Sequence, residues 1–188
     1  MNNMTIKKKV VLSWNGGKDS SLALHQMGQS GECGVVCLLT TLTSGYDRVS
    51  MHGLRTELLN RQCASIGLPV EKILISQKSS NEEYESKLSD TLSRFKTKGV
   101  TTVVYGDLFL EEIKIYREQH LGSLNMECIF PLWKMDTTEL AHRFIDLGFK
   151  AVTVCVDSEQ LGREFTGSFC PIFRQGLIRA VKTASYIH

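Results

Sequence analysis

Short runs of β-branched and aliphatic residues alternate along the chain with longer amphipathic stretches, and their order predicts most of the fold. Val10, Val11 and Leu12 head the first apolar run, and residues 9–14 read as a strand. Leu22, Ala23 and Met27 then recur at helical spacing over 20–27, and Gly28 and Gly31 end that helix. Residues 34–40 are apolar without alternation, the mark of a strand covered on both faces, as in a parallel sheet. Polar residues 41–51 read as a loop, 54–66 as a helix stopped by Gly67 and Pro69, and 71–76 as the next strand.

Ser79 and Ser80, each three residues before a glutamate, predict a capped helix over 81–98 with Tyr84, Leu88, Leu92 and Phe95 on its apolar stripe. A strand over 100–105 ends on Gly106-Asp107, and a helix over 108–121 follows it. After a short apolar segment, 128–133, a helix runs from Thr137 or Thr138 to Asp146, and 151–157 reads as a last strand. Strands and helices in strict alternation predict a doubly wound, Rossmann-like α/β fold with a mostly parallel sheet. Residues 1–125 form its main domain in this reading, and 126–188 a short C-terminal α/β extension.

The first strand enters its helix through Ser13-Trp14-Asn15-Gly16-Gly17-Lys18-Asp19-Ser20. Two adjacent glycines allow close approach of an anion, the free amides and the positive dipole end of the next helix point at it, and Lys18 adds a full charge. This is the chemistry of a phosphate-binding loop. A Walker loop requires glycine where Leu12 stands and serine or threonine where Asp19 stands, and no Gly-x-Gly-x-x-Gly spacing is present, so both common nucleotide motifs are excluded. Asp19 is also placed to cap the helix, a role compatible with one in a nucleotide and magnesium site.

In an open α/β sheet, ligands bind where the strands end at their carboxyl edge. That rule brings His52-Gly53 and Gly106-Asp107 to the same crevice as the glycine loop. Each has a plain structural alternative: a lone histidine on a surface, an aspartate that only caps the following helix. Glu111 stands four residues after Asp107 and shares its cleft if that helix starts near Leu108.

Composition narrows the classes. A chain of 188 residues with a net charge of +2 has one basic run, Lys7 to Lys9, and no basic stripe interleaved with aromatics, so nucleic acid is not an expected partner. Six cysteines, at 33, 37, 63, 128, 155 and 170, form no Cys-x-x-Cys pair and read as reduced, mostly buried thiols, and a zinc site is rejected. The longest nearly apolar run, 35–42, is too short to span a bilayer, and the N-terminus lacks the apolar core of a secretion signal. A cytoplasmic location is expected, a homodimer is compatible with the pattern, and no seam for one is visible.

The loop resembles that of the PP-loop ATP pyrophosphatases. Together with Ser50-Met51-His52-Gly53, Gly106-Asp107-Leu108-Phe109-Leu110-Glu111, Tyr116-Arg117-Glu118, Phe130-Pro131-Leu132-Trp133 and the stretch 147–157, the chain resembles the diphthine ammonia ligase (diphthamide synthase) branch over about residues 8–165. The resemblance implies a HUP-like, adenine nucleotide alpha hydrolase-like fold and an ATP-dependent ligase. Such an enzyme adenylates a carboxylate with release of pyrophosphate and lets ammonia displace AMP.

By the family pattern, Ser13, Asn15, Gly16, Gly17, Lys18, Asp19 and Ser20 hold the phosphates, with His52 and Gly106 beside the nucleotide and Mg2+ on Asp19. Lys18, Asp19 and Asp107 carry the chemistry, and Glu111 and Arg117 lie on the substrate side. The implied partners are ATP, Mg2+, ammonia or another nitrogen donor, and a carboxylate acceptor, which is diphthine on elongation factor 2 in archaea and eukaryotes. After about Phe169 the chain lacks the Gly- and Glu-rich signature that longer members carry. Two other readings stay open: a nucleotide-binding module without catalysis, and a PP-loop pyrophosphatase acting on another acceptor such as tRNA.

Overall fold

The computed structural model describes residues 7–50, 52–159 and 162–167. Met51 and the tail beyond Phe169, with the basic stretch 177–185, lie outside the described residues. The chain divides into a compact unit ending at Trp133 and a second unit beginning at Lys134.

In the first unit, five parallel strands run in the order β4 (Val70–Ile75), β2 (Cys33–Thr43), β1 (Lys8–Ser13), β5 (Thr102–Val104) and β6 (Glu127–Ile129). The chain moves outward from β1 in one direction through β2 and β4, then returns to β5 and β6 on the other side. The order therefore reverses between β1 and β5, and the crevice of a doubly wound sheet opens at that point. Lys8 of β1 also pairs with Glu127 of β6 at the opposite ends of these strands.

Residues 41–50 are not a plain loop. β2 continues to Thr43 and turns back through a two-residue antiparallel strand, β3 (Arg48–Val49), with Leu42 opposite Val49 and Thr43 opposite Arg48. β1 leaves β2 at the Ser13–Leu39 pair, whereas β4 stays paired with β2 through Thr43. β3 therefore fills the edge of β2 that β1 has vacated, directly beyond the end of β1. A polar hairpin is hard to read from sequence because its two strands are short and its register is set by this vacancy.

α3 (Asn81–Thr97) and α4 (Glu111–Ser123) cover one face of the sheet. Leu88 and Leu92 from α3 and Leu121 from α4 close over Val11, Leu39, Ile73 and Val103, all buried. The alternate residues Val10, Leu12, Leu38 and Val104 are fully buried on the other face. α1 (Lys18–Ser30) packs against β1 and β2 and buries Leu22, Ala23 and Met27, while α2 (Thr56–Ile66) buries Leu59 and Cys63. α3 starts as expected: Ser80 is its N-cap, and its Oγ accepts from the Glu83 amide at 3.3 Å. Glu83 accepts from Lys87 one turn ahead and from Ser76 behind, rather than bonding its own cap, and these bonds hold its carboxyl pKa down to about 2.

Three expectations are corrected. α1 passes through Gly28 and stops at Gly31, in the left-handed conformation with φ 71°. α4 begins at Glu111 rather than near Leu108, because residues 106–110 leave the sheet in non-helical conformation up to the N-cap Leu110. In the second unit α5 (Thr137–Asp146) forms, capped by Asp136, which accepts from the amides of Thr138 and Glu139. Residues 151–157, however, contain one bridge residue, Val152, and no strand, with Val154 77% exposed. A β-forming composition needs a neighbouring strand to become one.

Candidate functional site

β1 hands the chain to Trp14, whose amide donates to Leu39 O at 2.8 Å and so keeps the following turn on the sheet edge. Gly16 turns the chain with φ 77°, and a Cβ there would stand 2.5 Å from both Gln62 Oε1 and Leu54 Cδ2. Gln62 Nε2 donates to Gly16 O at 3.2 Å, so α2 braces the loop from behind. Asn15 Oδ1 accepts from the Gly17 amide at 2.9 Å and lies 2.8 Å from Ser20 Oγ. The loop's shape is fixed by its own side chains.

The first turn of α1 is left open. Gly17 is its N-cap, in extended conformation, with no side-chain cap. The first bond across the cap runs from the Ser21 amide to Gly17 O, so the amides of Lys18, Asp19 and Ser20 lack intrahelical acceptors. The expectation that Asp19 caps the helix is not met: its carboxylate takes Lys18 Nζ at 2.7 and 2.9 Å instead. An uncapped helix start beside a lysine fits a phosphate chain.

Because β3 fills the edge beyond β1, the hairpin carries His52 to the loop, where its Nε2 lies 3.0 Å from Asn15 Nδ2. Asn15 Nδ2 can only donate, so Nε2 accepts and the ring is neutral. Burial pushes the His52 pKa down, against the pull of the Asp19 charge.

From the other side of the switch point, β5 brings Tyr105, Gly106 and Asp107. Gly106 passes so close to α1 that a Cβ would stand 3.0 Å from the Asp19 carbonyl carbon and oxygen and 3.1 Å from the Ser20 amide nitrogen. Asp107 is held by Arg117 of α4, with Nη2 at 3.3 Å from Oδ1 and Nε at 3.1 Å from Oδ2. Burial raises the Asp107 pKa; Arg117 opposes that shift, and the neighbouring Asp19 charge adds to it. The Arg117 guanidinium lies 3.9 Å from the centre of the Tyr105 ring, which stacks on Phe130 at 5.7 Å. Tyr105 escaped the sequence reading, although its place immediately before Gly106-Asp107 was the available signal.

The structure thus brings Asn15, Gly16, Gly17, Lys18, Asp19, Ser20, His52, Gly106, Asp107 and Arg117 to one crevice, with Ser13 ending the strand beneath it. Glu111 stands exposed at the start of α4, and the shared helical face expected for it with Asp107 is absent because Asp107 precedes the helix. Mg2+ is commonly held by one or two carboxylates together with phosphate oxygens, and Asp19 beside the open helix start fits that pattern. Among the described residues no cluster of three ligating side chains would hold a metal without such a phosphate. Also among them, no helix is long and apolar enough to cross a membrane.

The chain is similar in structure to a protein from Methanocaldococcus jannaschii described as a predicted subunit of tRNA methyltransferase. The TM-score is 0.51 at 18% identity, over 81% of this chain and 83% of that one, a likeness of fold. The U34-tRNA thiolase NcsA from Methanococcus maripaludis, solved with its 4Fe-4S cluster, gives a TM-score of 0.48 at 14% identity, over 100% of this chain and 76% of that one. No curated protein sequence matches the chain. The family model of the diphthamide synthase N-terminal domain matches residues 8–124, from the first strand through α4 and every crevice residue named above. The chain belongs to the diphthamide synthase N-terminal domain family, within the PP-loop superfamily of ATP pyrophosphatase-like domains.

Proposed function

We propose that this protein splits ATP into AMP and pyrophosphate to adenylate a carboxylate, and that ammonia then displaces AMP to leave an amide. The observation that carries this reading is the uncapped first turn of α1 lying against the Gly106-Asp107 end of β5. A carboxylate is a poor electrophile because oxide is a poor leaving group; AMP leaves far more readily. One carboxylate oxygen bonds to the α-phosphorus as the bond to the β-phosphate breaks, and the acyl–AMP bond then yields to nitrogen.

In this reading the Gly17 to Ser20 turn receives the phosphates, and Lys18 neutralises charge developing on pyrophosphate. Asp19 would hold Mg2+, which neutralises phosphate charge when bound. His52 and Gly106 border the nucleotide, and Glu111 and Arg117 lie toward the acceptor. Asp107 is placed to accept a proton from the attacking nitrogen, a role its burial-raised pKa favours. Diphthine on elongation factor 2 is the acceptor that the resemblance implies, with a cytoplasmic setting for the reaction.

The test is acceptor-dependent exchange of labelled pyrophosphate into ATP without ammonia. Exchange with a protein fraction supports acyl adenylation, exchange only with tRNA would move the protein to another PP-loop acceptor, and ATP binding without exchange would make it a binding module.

A further inference from the structure

We propose that the cavity between α3 and α4 is the acceptor's seat, and that it takes a side-chain-sized carboxylic acid with a flat, unsaturated body. This rests on the acyl-activating reading above. The cavity measures about 170 Å³ and is lined chiefly by Tyr84, Leu88, Tyr105, Tyr116, Arg117 and His120. An apolar cavity of about 150 Å³ takes a benzene ring, so there is room here for a flat group the size of a side chain.

Two polar ring groups on the α4 wall are engaged elsewhere. Tyr116 Oη donates to Glu85 Oε1 at 2.9 Å, and His120 Nε2 lies 3.2 Å from Ser89 Oγ. The Tyr116 and His120 rings stack at 6.2 Å, so this wall offers ring surface rather than hydrogen bonds and suits a flat group. Arg117 supplies the polar end. Its contacts with Asp107 use Nε and Nη2, and the guanidinium also bonds and stacks on Tyr105, so an entering carboxylate meets a cation already held in place.

Arg117 therefore belongs at once to the cavity and to the crevice. An acid whose body fills the cavity presents its carboxylate beside Asp107, on the side of the open α1 turn. A nucleobase would also stack on these rings, but it brings no anion for Arg117.

The test is an NMR titration of isotope-labelled protein with benzoate and phenylacetate, their neutral amides, and uridine. The acids are expected to move the ring signals of Tyr84, Tyr116 and His120 and to bind about tenfold tighter than the amides, the worth of one charge-assisted contact. Arg117→Gln is expected to erase that preference while its spectrum stays dispersed. Equal binding of acids and amides, tighter binding of uridine, or shifts confined to other residues would overturn the proposal, and the wild-type comparison decides even if the variant fails to fold.

Turnover separates this idea from the one it rests on. Lost acid preference in a protein that still forms AMP refutes the cavity alone; formation of ADP instead of AMP refutes the activation chemistry and the seat's role with it. AMP formation with the low-mass fraction of an extract identifies a free acid as the source, and with the protein fraction a side chain.

Discussion

Gly106 and Asp19 meet backbone to backbone: a Cβ on Gly106 would stand 3.0 Å from the Asp19 carbonyl carbon and oxygen. Peptide atoms at the start of a helix cannot swing aside as a side chain would. Gly106→Ala is therefore expected to part β5 from α1, costing about 1–3 kcal/mol of stability and weakening ATP binding. Gly122, in α4 with nothing within 4 Å of an added Cβ, is the contrast. Gly122→Ala is expected to stabilise by about 0.5–1 kcal/mol. Urea denaturation and an ATP titration of both variants check the pair.

The Asp107 carboxyl titrates above its ordinary 3.8 because burial outweighs the Arg117 charge. Arg117→Gln is expected to raise it further, and Asp19→Asn to lower it. Because the folded pKa exceeds the unfolded one, the contribution of Asp107 to stability is fully present below pH 3.8 and is lost as pH rises through the folded pKa. Carboxyl carbon NMR across an acid titration reads each shift directly, and a fall in Arg117→Gln would contradict the assignment.

His52 behaves in the opposite direction. Its folded pKa is lowered from 6.5 by burial, so below pH 6.5 the unfolded chain holds more protons than the folded one. Its contribution is flat above 6.5 and declines as pH falls from there through the folded pKa. Protonation also removes the lone pair that faces Asn15 Nδ2. Urea denaturation from pH 7.5 down to 5.5 is expected to show a decline that is smaller in His52→Gln; an equal slope in both proteins would place the titrating group elsewhere.

Leu92 is fully buried against the sheet, whereas Ser80 only caps the same helix. Leu92→Ala is expected to cost about 2–5 kcal/mol and Ser80→Ala about 1 kcal/mol. Denaturant midpoints of the two variants, with matching slopes, check the order.

Much of the candidate site was legible because the residues that build it are local in sequence. The glycine loop announces itself in consecutive residues, and the ends of β1 and β5 share an edge in any doubly wound sheet, so Lys18, Asp19, Gly106 and Asp107 were found together. The hairpin at Arg48 and Val49 was missed because its pairing depends on the edge of β2 that β1 leaves free, a fact of three dimensions. Asn15 was read as a phosphate ligand, yet its amide also ties Gly17 and His52 to one another, contacts that no spacing predicts. Residues 151–157 have the composition of a strand without its partner. Tyr84 was read as packing on a helical stripe, and only the fold reveals that it borders a cavity with Arg117.

The central claim is that the open turn of α1 holds ATP for cleavage between its α- and β-phosphates. ATP labelled on the α-phosphate, with Mg2+, ammonium and an extract containing the acceptor, tests it most directly. Label is expected in AMP only when extract is present, with Lys18→Ala forming at least about tenfold less, as removal of a transition-state donor implies. Label recovered in ADP, or AMP formed equally by Lys18→Ala, would contradict the account.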